Sequence, residues 1–334
     1  MSRTWYLRIA ILATVLALGV IVLGAYVRLS AAGLGCPDWP GCYGYMVVPD
    51  THQAIAHADA QYANRPVQPA RAWKEMIHRY FAGTLGTLIL ILTIGAWWRW
   101  RETRRHVVVP SLLLVTVIFQ ALLGMWTVTL LLFPPVVMGH LLGGFTTFAL
   151  LIMLVLQNGG WLRAGDHATN VMRWLAVAGL LVLTVQIALG GWTSSNYAAI
   201  ACPDFPTCQG QWWPPGMNFQ AAFAWHGVGP DYQGGILTQG ARIAIHMAHR
   251  IGALVTFLML AVTSLVFMLK GNRTLRWLGA LVGVLLVVQV ALGISMIEFG
   301  WPLPVADAHN GVAALLLGSV VALVWSAWSG RRTA

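Results

Sequence analysis

Four histidines set the chemistry available to this chain. His78, His140, His249 and His309 each stand at the end of a long apolar stretch and form two matching pairs along the sequence. Ionisable side chains inside a membrane are costly and usually functional. Two imidazoles reaching inward from different helices can ligate a haem iron between them. Facing nitrogen donors suit haem better than Mg²⁺ or Ca²⁺, which take oxygen ligands. An interhelical hydrogen bond is the plainer use of one such histidine. Four at matched positions favour ligation.

Glu75 lies three residues before His78, and His246 three before His249. If each helix reaches that far, both share a face with their histidine. One site then carries a carboxylate where the other carries an imidazole. A carboxylate there can accept a proton or stabilise positive charge; pairing with Arg71, Lys74 or Arg79 is the plainer reading. Arg28, Arg79, Arg242 and Arg250 lie at similar depth, where they could hold haem propionates or simply snorkel. Cys36–Cys42 and Cys202–Cys208 are two CX5C pairs with two prolines each. Each can close a local disulfide if the turn brings its sulfurs together. Stapling a loop and a redox or haem-handling role are both open, and zinc is the weaker reading. Tyr26, Trp126 and Trp192 could line a porphyrin pocket or simply pack. His52, His57, His106, His167 and His226 are expected to be incidental.

The elements that position these residues follow from composition. Of 334 residues, 58% are hydrophobic and 9% charged, against about 25% charged in soluble chains. That excludes a soluble enzyme, a disordered chain and a disulfide-dense secreted module. A membrane helix needs about 20 apolar residues. Eight stretches qualify, at roughly 9–29, 78–98, 107–131, 136–157, 173–194, 244–269, 276–297 and 306–328. The first is long for a signal peptide and shows no convincing cleavage site. Pro134–Pro135 and Pro302–Pro304 mark the turns that deliver His140 and His309 into the membrane.

Charge placement orients the chain. With the N-terminus in the cytoplasm, the inner segments carry Arg3, Arg8, Arg99, Arg101, Arg104, Arg105, Arg163, Arg173, Lys270, Arg273, Arg276, Arg331 and Arg332. The outer loops proper carry only Arg65, Arg71 and Lys74. This is the positive-inside pattern. It accounts for most of the net charge of +10 and leaves no case for nucleic acid. Both cysteine pairs then lie outside, where disulfides persist, in long loops at roughly 30–77 and 195–243.

The chain also repeats itself. Cys36-Pro-Asp-Trp-Pro-Gly-Cys42 matches Cys202-Pro-Asp-Phe-Pro-Thr-Cys208, and Leu23–Gly24 matches Leu189–Gly190. Ile77-His78-Arg79 matches Ala248-His249-Arg250; Gln120, Gly124 and His140 match Gln289, Gly293 and His309. Four helices separate each element from its partner, so the halves run the same way through the membrane. The expected fold is an all-α integral membrane protein of eight transmembrane helices, built as two tandem parallel-repeat four-helix bundles, 1–160 and 161–334.

This ordered set resembles haem A synthase, the CtaA/Cox15 family of cytochrome oxidase assembly, over essentially the whole chain. The resemblance rests on Glu75-Met-Ile-His78-Arg79, Gly139–His140, His249–Arg250, Ala308-His309-Asn310 and the two cysteine pairs. It implies an oxidoreductase acting on a CH group, converting the C8 methyl of haem O to a formyl group through a hydroxymethyl intermediate. His78 and His140 would then hold the substrate haem, His249 and His309 a resident haem b, and Glu75 would be the catalytic carboxylate. The resemblance also implies the cell inner (plasma) membrane, with both termini cytoplasmic. Haem O synthase and cytochrome oxidase assembly factors are the implied partners; a homo-oligomer is open. A b-type electron-transfer cytochrome, an outward-facing thiol–quinone oxidoreductase and a transporter are the alternatives. The cytochrome predicts two equal sites, the oxidoreductase leaves four histidines idle, and repeat-built transporters are often inverted.

Overall fold

The computed structural model describes residues 3–98, 107–162 and 167–329. Arg99, Arg101, Arg104, Arg105, His106, Arg163, Arg331 and Arg332 lie outside the described residues. Among the described residues are ten α-helices: α1 (Arg3–Leu29), α2 (His52–Gln61), α3 (Pro69–Trp98), α4 (Val108–Thr129), α5 (Pro134–Gly159), α6 (Asn170–Ser195), α7 (Phe219–Ala222), α8 (Gln239–Lys270), α9 (Arg273–Glu298) and α10 (Leu303–Trp328). All but the short α2 and α7 are long and apolar enough to cross a membrane. The chain is a multi-pass membrane protein. In hydrocarbon each backbone polar group must be satisfied within the protein, and a helix does that within one segment.

The helix ends are written in local chemistry. Thr169 caps α6 by accepting from the Met172 N–H, and Asn272 caps α9 by accepting from the Leu275 N–H. Pro134 opens α5, where its missing N–H costs nothing. Gly160 closes α5 in the left-handed conformation at φ +72°.

Helices α1, α3, α4 and α5 form one ring of neighbours, and α6, α8, α9 and α10 form a second with the same order of contacts. The rings meet where α1 and α5 pack on α10, and α5 on α6. Helix α10 is the most enclosed, with 67% of its apolar 18-residue window buried. Its small residues permit this approach: a Cβ on Gly318 would come within 2.6 Å of Ile152 on α5.

At the loop-bearing end, helices α3 and α8 run further than hydropathy alone indicates. Helix α3 begins at Pro69 rather than 78, and α8 at Gln239 rather than 244. The added turns hold Arg71, Lys74, Glu75, Arg242 and His246, too polar for an apolar window. They are helical because they are roofed by the two long loops. Ala72, Glu75 and Met76 are buried beneath one, and Ala241, Ala244 and His246 beneath the other. Glu75 and His246 therefore do share a helix face with their histidines.

Candidate functional site

Each of the four histidines leans on a glycine of the neighbouring helix. A Cβ on Gly24 of α1 would stand 2.9 Å from Cε1 of His78 on α3. The same distance is 3.4 Å for Gly124 and His140, and 3.2 Å for both Gly190 with His249 and Gly293 with His309. The matched glycines of the repeat are thus the seats of the matched imidazoles. His78 and His140 are within electrostatic reach of each other, as are His249 and His309. All four are half-buried. Nδ1 of His78, of His140 and of His309 has no hydrogen-bond partner.

This donor set fits a haem. Each half brings two imidazoles from different helices within electrostatic reach, and no described cluster of three or more His, Cys, Asp or Glu could hold a bare metal ion. A haem would take its two protein nitrogens from such a pair, His78 with His140 or His249 with His309. Zinc is ruled out at the cysteines, which are paired as disulfides Cys36–Cys42 and Cys202–Cys208. All four are fully buried.

The two disulfide loops are held alike. Arg79 donates to the carbonyls of Asp38 at 2.9 Å, Pro40 at 3.3 Å and Gly41. Arg250 donates to those of Thr207 at 2.7 Å, Asp204 at 2.8 Å and Cys202 at 3.4 Å. Inside each loop an aspartate turns back on the chain. Asp38 accepts from the Tyr43 and Gly44 N–H groups, and Asp204 accepts from the Gly210 N–H at 3.0 Å and from the Thr207 hydroxyl. The Thr207 hydroxyl holds the Asp204 carboxyl below the usual carboxylate range. A depressed folded-state pKa contributes stability above the unfolded value, and that stability is lost as pH falls through the folded one. Asp204→Ala is therefore expected to loosen the second loop at neutral pH and to make little difference in strong acid, read as protease sensitivity of the loop against pH.

The loops differ in what they touch. Glu75 is buried; its Oε2 accepts from the Cys36 N–H at 2.9 Å, and its Oε1 pairs with Arg79. His246 occupies the equivalent place in the other half, buried, with Nδ1 unpartnered and its ring edge-on to Trp301 at 6.1 Å. The pairing of Glu75 with Arg79, the plainer of the two expectations, is present. So is its placement one helical turn from His78.

The four arginines that could hold propionates or snorkel all bond to main-chain carbonyls. Arg79 and Arg250 hold the loops. Arg28 donates to the Ser194 carbonyl at 2.8 Å and lies over the Tyr197 ring, and Arg242 donates to the Gly235 carbonyl at 3.1 Å. Their recruitment by main chain is invisible in a list of charges. His52, His57, His167 and His226 are exposed. Gln186, whose amide nitrogen lies 3.0 Å from Nδ1 of His249, was not singled out by its sequence context because it has no match in the first half.

Fold and site together define an eight-span membrane protein with two pairs of neighbouring histidines at its loop-bearing end. The COX15-CtaA model, described as cytochrome oxidase assembly protein, matches residues 7–321. The chain is 44% identical over 330 residues to the heme A synthase of Shewanella oneidensis, covering 98% of this chain and 97% of that one. It is 26% identical to the heme A synthase of Halalkalibacterium halodurans, covering 94% and 95%, and 24% identical to that of Bacillus licheniformis, covering 93% and 92%. The chain belongs to the COX15-CtaA family of cytochrome oxidase assembly proteins.

Proposed function

We propose that this chain is a haem A synthase, an enzyme of haem A biosynthesis that oxidises the C8 methyl of haem O to a formyl group through a hydroxymethyl intermediate. The observation that carries this reading is two pairs of glycine-backed imidazoles, each pair within electrostatic reach, in a chain whose family relatives are heme A synthases. In residues 1–160, His78 and His140 bind haem O as substrate. In residues 161–334, His249 and His309 hold a resident haem b, which would supply one-electron redox capacity beside the reacting haem. Glu75 is the carboxylate of the reacting half.

A b-type cytochrome working by electron transfer alone would want equal sites, whereas Glu75 and His246 make these unequal. A thiol–quinone oxidoreductase would want reachable sulfurs, whereas these are buried under their loops. We place the loop-bearing end outside the cell inner membrane, with both termini in the cytoplasm, on the excess of Lys and Arg at the other end. Haem O synthase is the supplier and an oxidase assembly line the recipient that this chemistry requires.

Chromatography of haems extracted from membranes that contain this chain and a source of haem O tests the function. Haem A, or its hydroxymethyl precursor, is expected. Unchanged haem O beside protein-bound haem B would favour the cytochrome instead. The glycine seats give a second test. Gly24→Ala is expected to push His78 off its seat at a cost of about 1–3 kcal/mol. It should lower haem content more than Gly124→Ala, whose added Cβ meets His140 at an ordinary contact distance of 3.4 Å. The pyridine haemochrome absorbance of the purified variants reports the difference.

A further inference from the structure

Around the histidines the two halves match closely, and they part at the glutamines. In the C-terminal half, Gln186 on α6 brings its amide nitrogen 3.0 Å from Nδ1 of His249 and 3.1 Å from the His249 carbonyl. Gly252 makes room, since a Cβ there would collide with the Gln186 side chain. Gln289 on α9 lies 3.1 Å from Nε2 of His309. In the N-terminal half the residue in register with Gln186 is Val20, and Phe81 stands in register with Gly252. Gln120, in register with Gln289, meets His140 through its main chain and not through its side-chain amide. Its amide lies over Gly143, where a Cβ would collide with it, and its Nε2 has no partner. Val312 fills the register position of Gly143 in the other half. Side-chain amides thus hold both C-terminal imidazoles and neither N-terminal one.

We propose that this difference makes one haem site retentive and the other exchanging: Gln186 fixes His249 as a permanent axial ligand, while Val20 leaves His78 free to release its haem. The inference rests on the haem-ligand reading above. A histidine that gives Nε2 to iron keeps its proton on Nδ1, and the partner of that second nitrogen sets ring orientation and ligand strength. The amide meets a protonated Nδ1 by turning its oxygen to the ring, and in doing so gives up its bond to the His249 carbonyl. Valine offers no such oxygen. Gln289 meets the nitrogen that iron would take, so it orients the empty ring, and the retention falls to Gln186. The division matches the chemistry: a substrate haem must enter and leave at every turnover, and a resident one must not.

The test uses the full-length purified protein loaded with haem B and mixed with excess apomyoglobin as haem acceptor, with release followed by absorbance. Two phases are expected, the fast one removed by His78→Ala and the slow one by His249→Ala. Gln186→Val should speed the slow phase about tenfold or more and raise the midpoint potential of that haem, a readout that loss of packing alone would not move. Gln186→Glu, which keeps an acceptor for the Nδ1 proton, should restore both. Val20→Gln combined with Phe81→Gly should slow the fast phase, a gain that does not depend on the Gln186 variants folding. Phases that follow the histidines while ignoring Gln186 and Val20 would overturn the inference and leave the ligand reading standing. Phases indifferent to the histidines would overturn both.

Discussion

Glu75→Gln is expected to leave haem bound and to cut haem A formation by about a hundredfold or more, the range of a positioned proton-transfer group. The substitution is nearly isosteric. Its amide oxygen can still accept from the Cys36 N–H, so the loop above keeps its anchor. Arg79 loses an anionic partner but keeps the carbonyls of Asp38, Pro40 and Gly41. What disappears is one negative charge, buried one helical turn from His78. Developing charge on a reacting group is stabilised most by fixed charges in a water-poor site. His246→Gln, which puts the same amide at the equivalent place, should leave turnover within a few-fold of the parent. Quantifying haem O, the hydroxymethyl product and haem A in membranes of both variants, alongside bound haem, decides the matter. Undiminished haem A from Glu75→Gln would remove Glu75 from the chemistry and leave it as the loop's anchor alone.

The histidines, their glycine seats and the cysteine pairs were legible because the chain states each of them twice. Gly24 and Gly190 hold the same register, as do Gly124 and Gly293, and each proved to back an imidazole. The eight spans were legible because hydrocarbon tolerates little but apolar helix. The outer turns of α3 and α8 were not, since their stability comes from being roofed by loops that hydropathy does not register. Arg79 and Arg250 illustrate the same limit. A cation near a haem site suggests a propionate partner, yet these serve as clasps for carbonyls turned inward by the CX5C loops. Gln186 shows the converse. A polar residue in an apolar run is conspicuous, but the repeat directs attention to what matches, and its meaning lies in a mismatch with Val20.

Opening the two disulfides is expected to give unequal results, though the loops are near copies. Closing so short a loop contributes about 2 kcal/mol to stability, and that loss should be common to Cys36→Ser/Cys42→Ser and Cys202→Ser/Cys208→Ser. Beyond it the consequences part. The first loop delivers the Cys36 N–H to Glu75 and shares Arg79 with it. A loosened loop therefore lets the carboxylate and its arginine shift together, and haem A formation should fall much as in Glu75→Gln while haem stays bound. Beneath the second loop the place of Glu75 is taken by His246, and Arg250 holds the loop's carbonyls. Loss of that pair should lower the unfolding temperature and leave turnover per folded enzyme near the parent value. Thermal unfolding and haem A yield, each normalised to bound haem, separate the two effects. Equal losses of turnover from both pairs would mean that the loops act only as staples, and that Glu75 does not depend on the one above it.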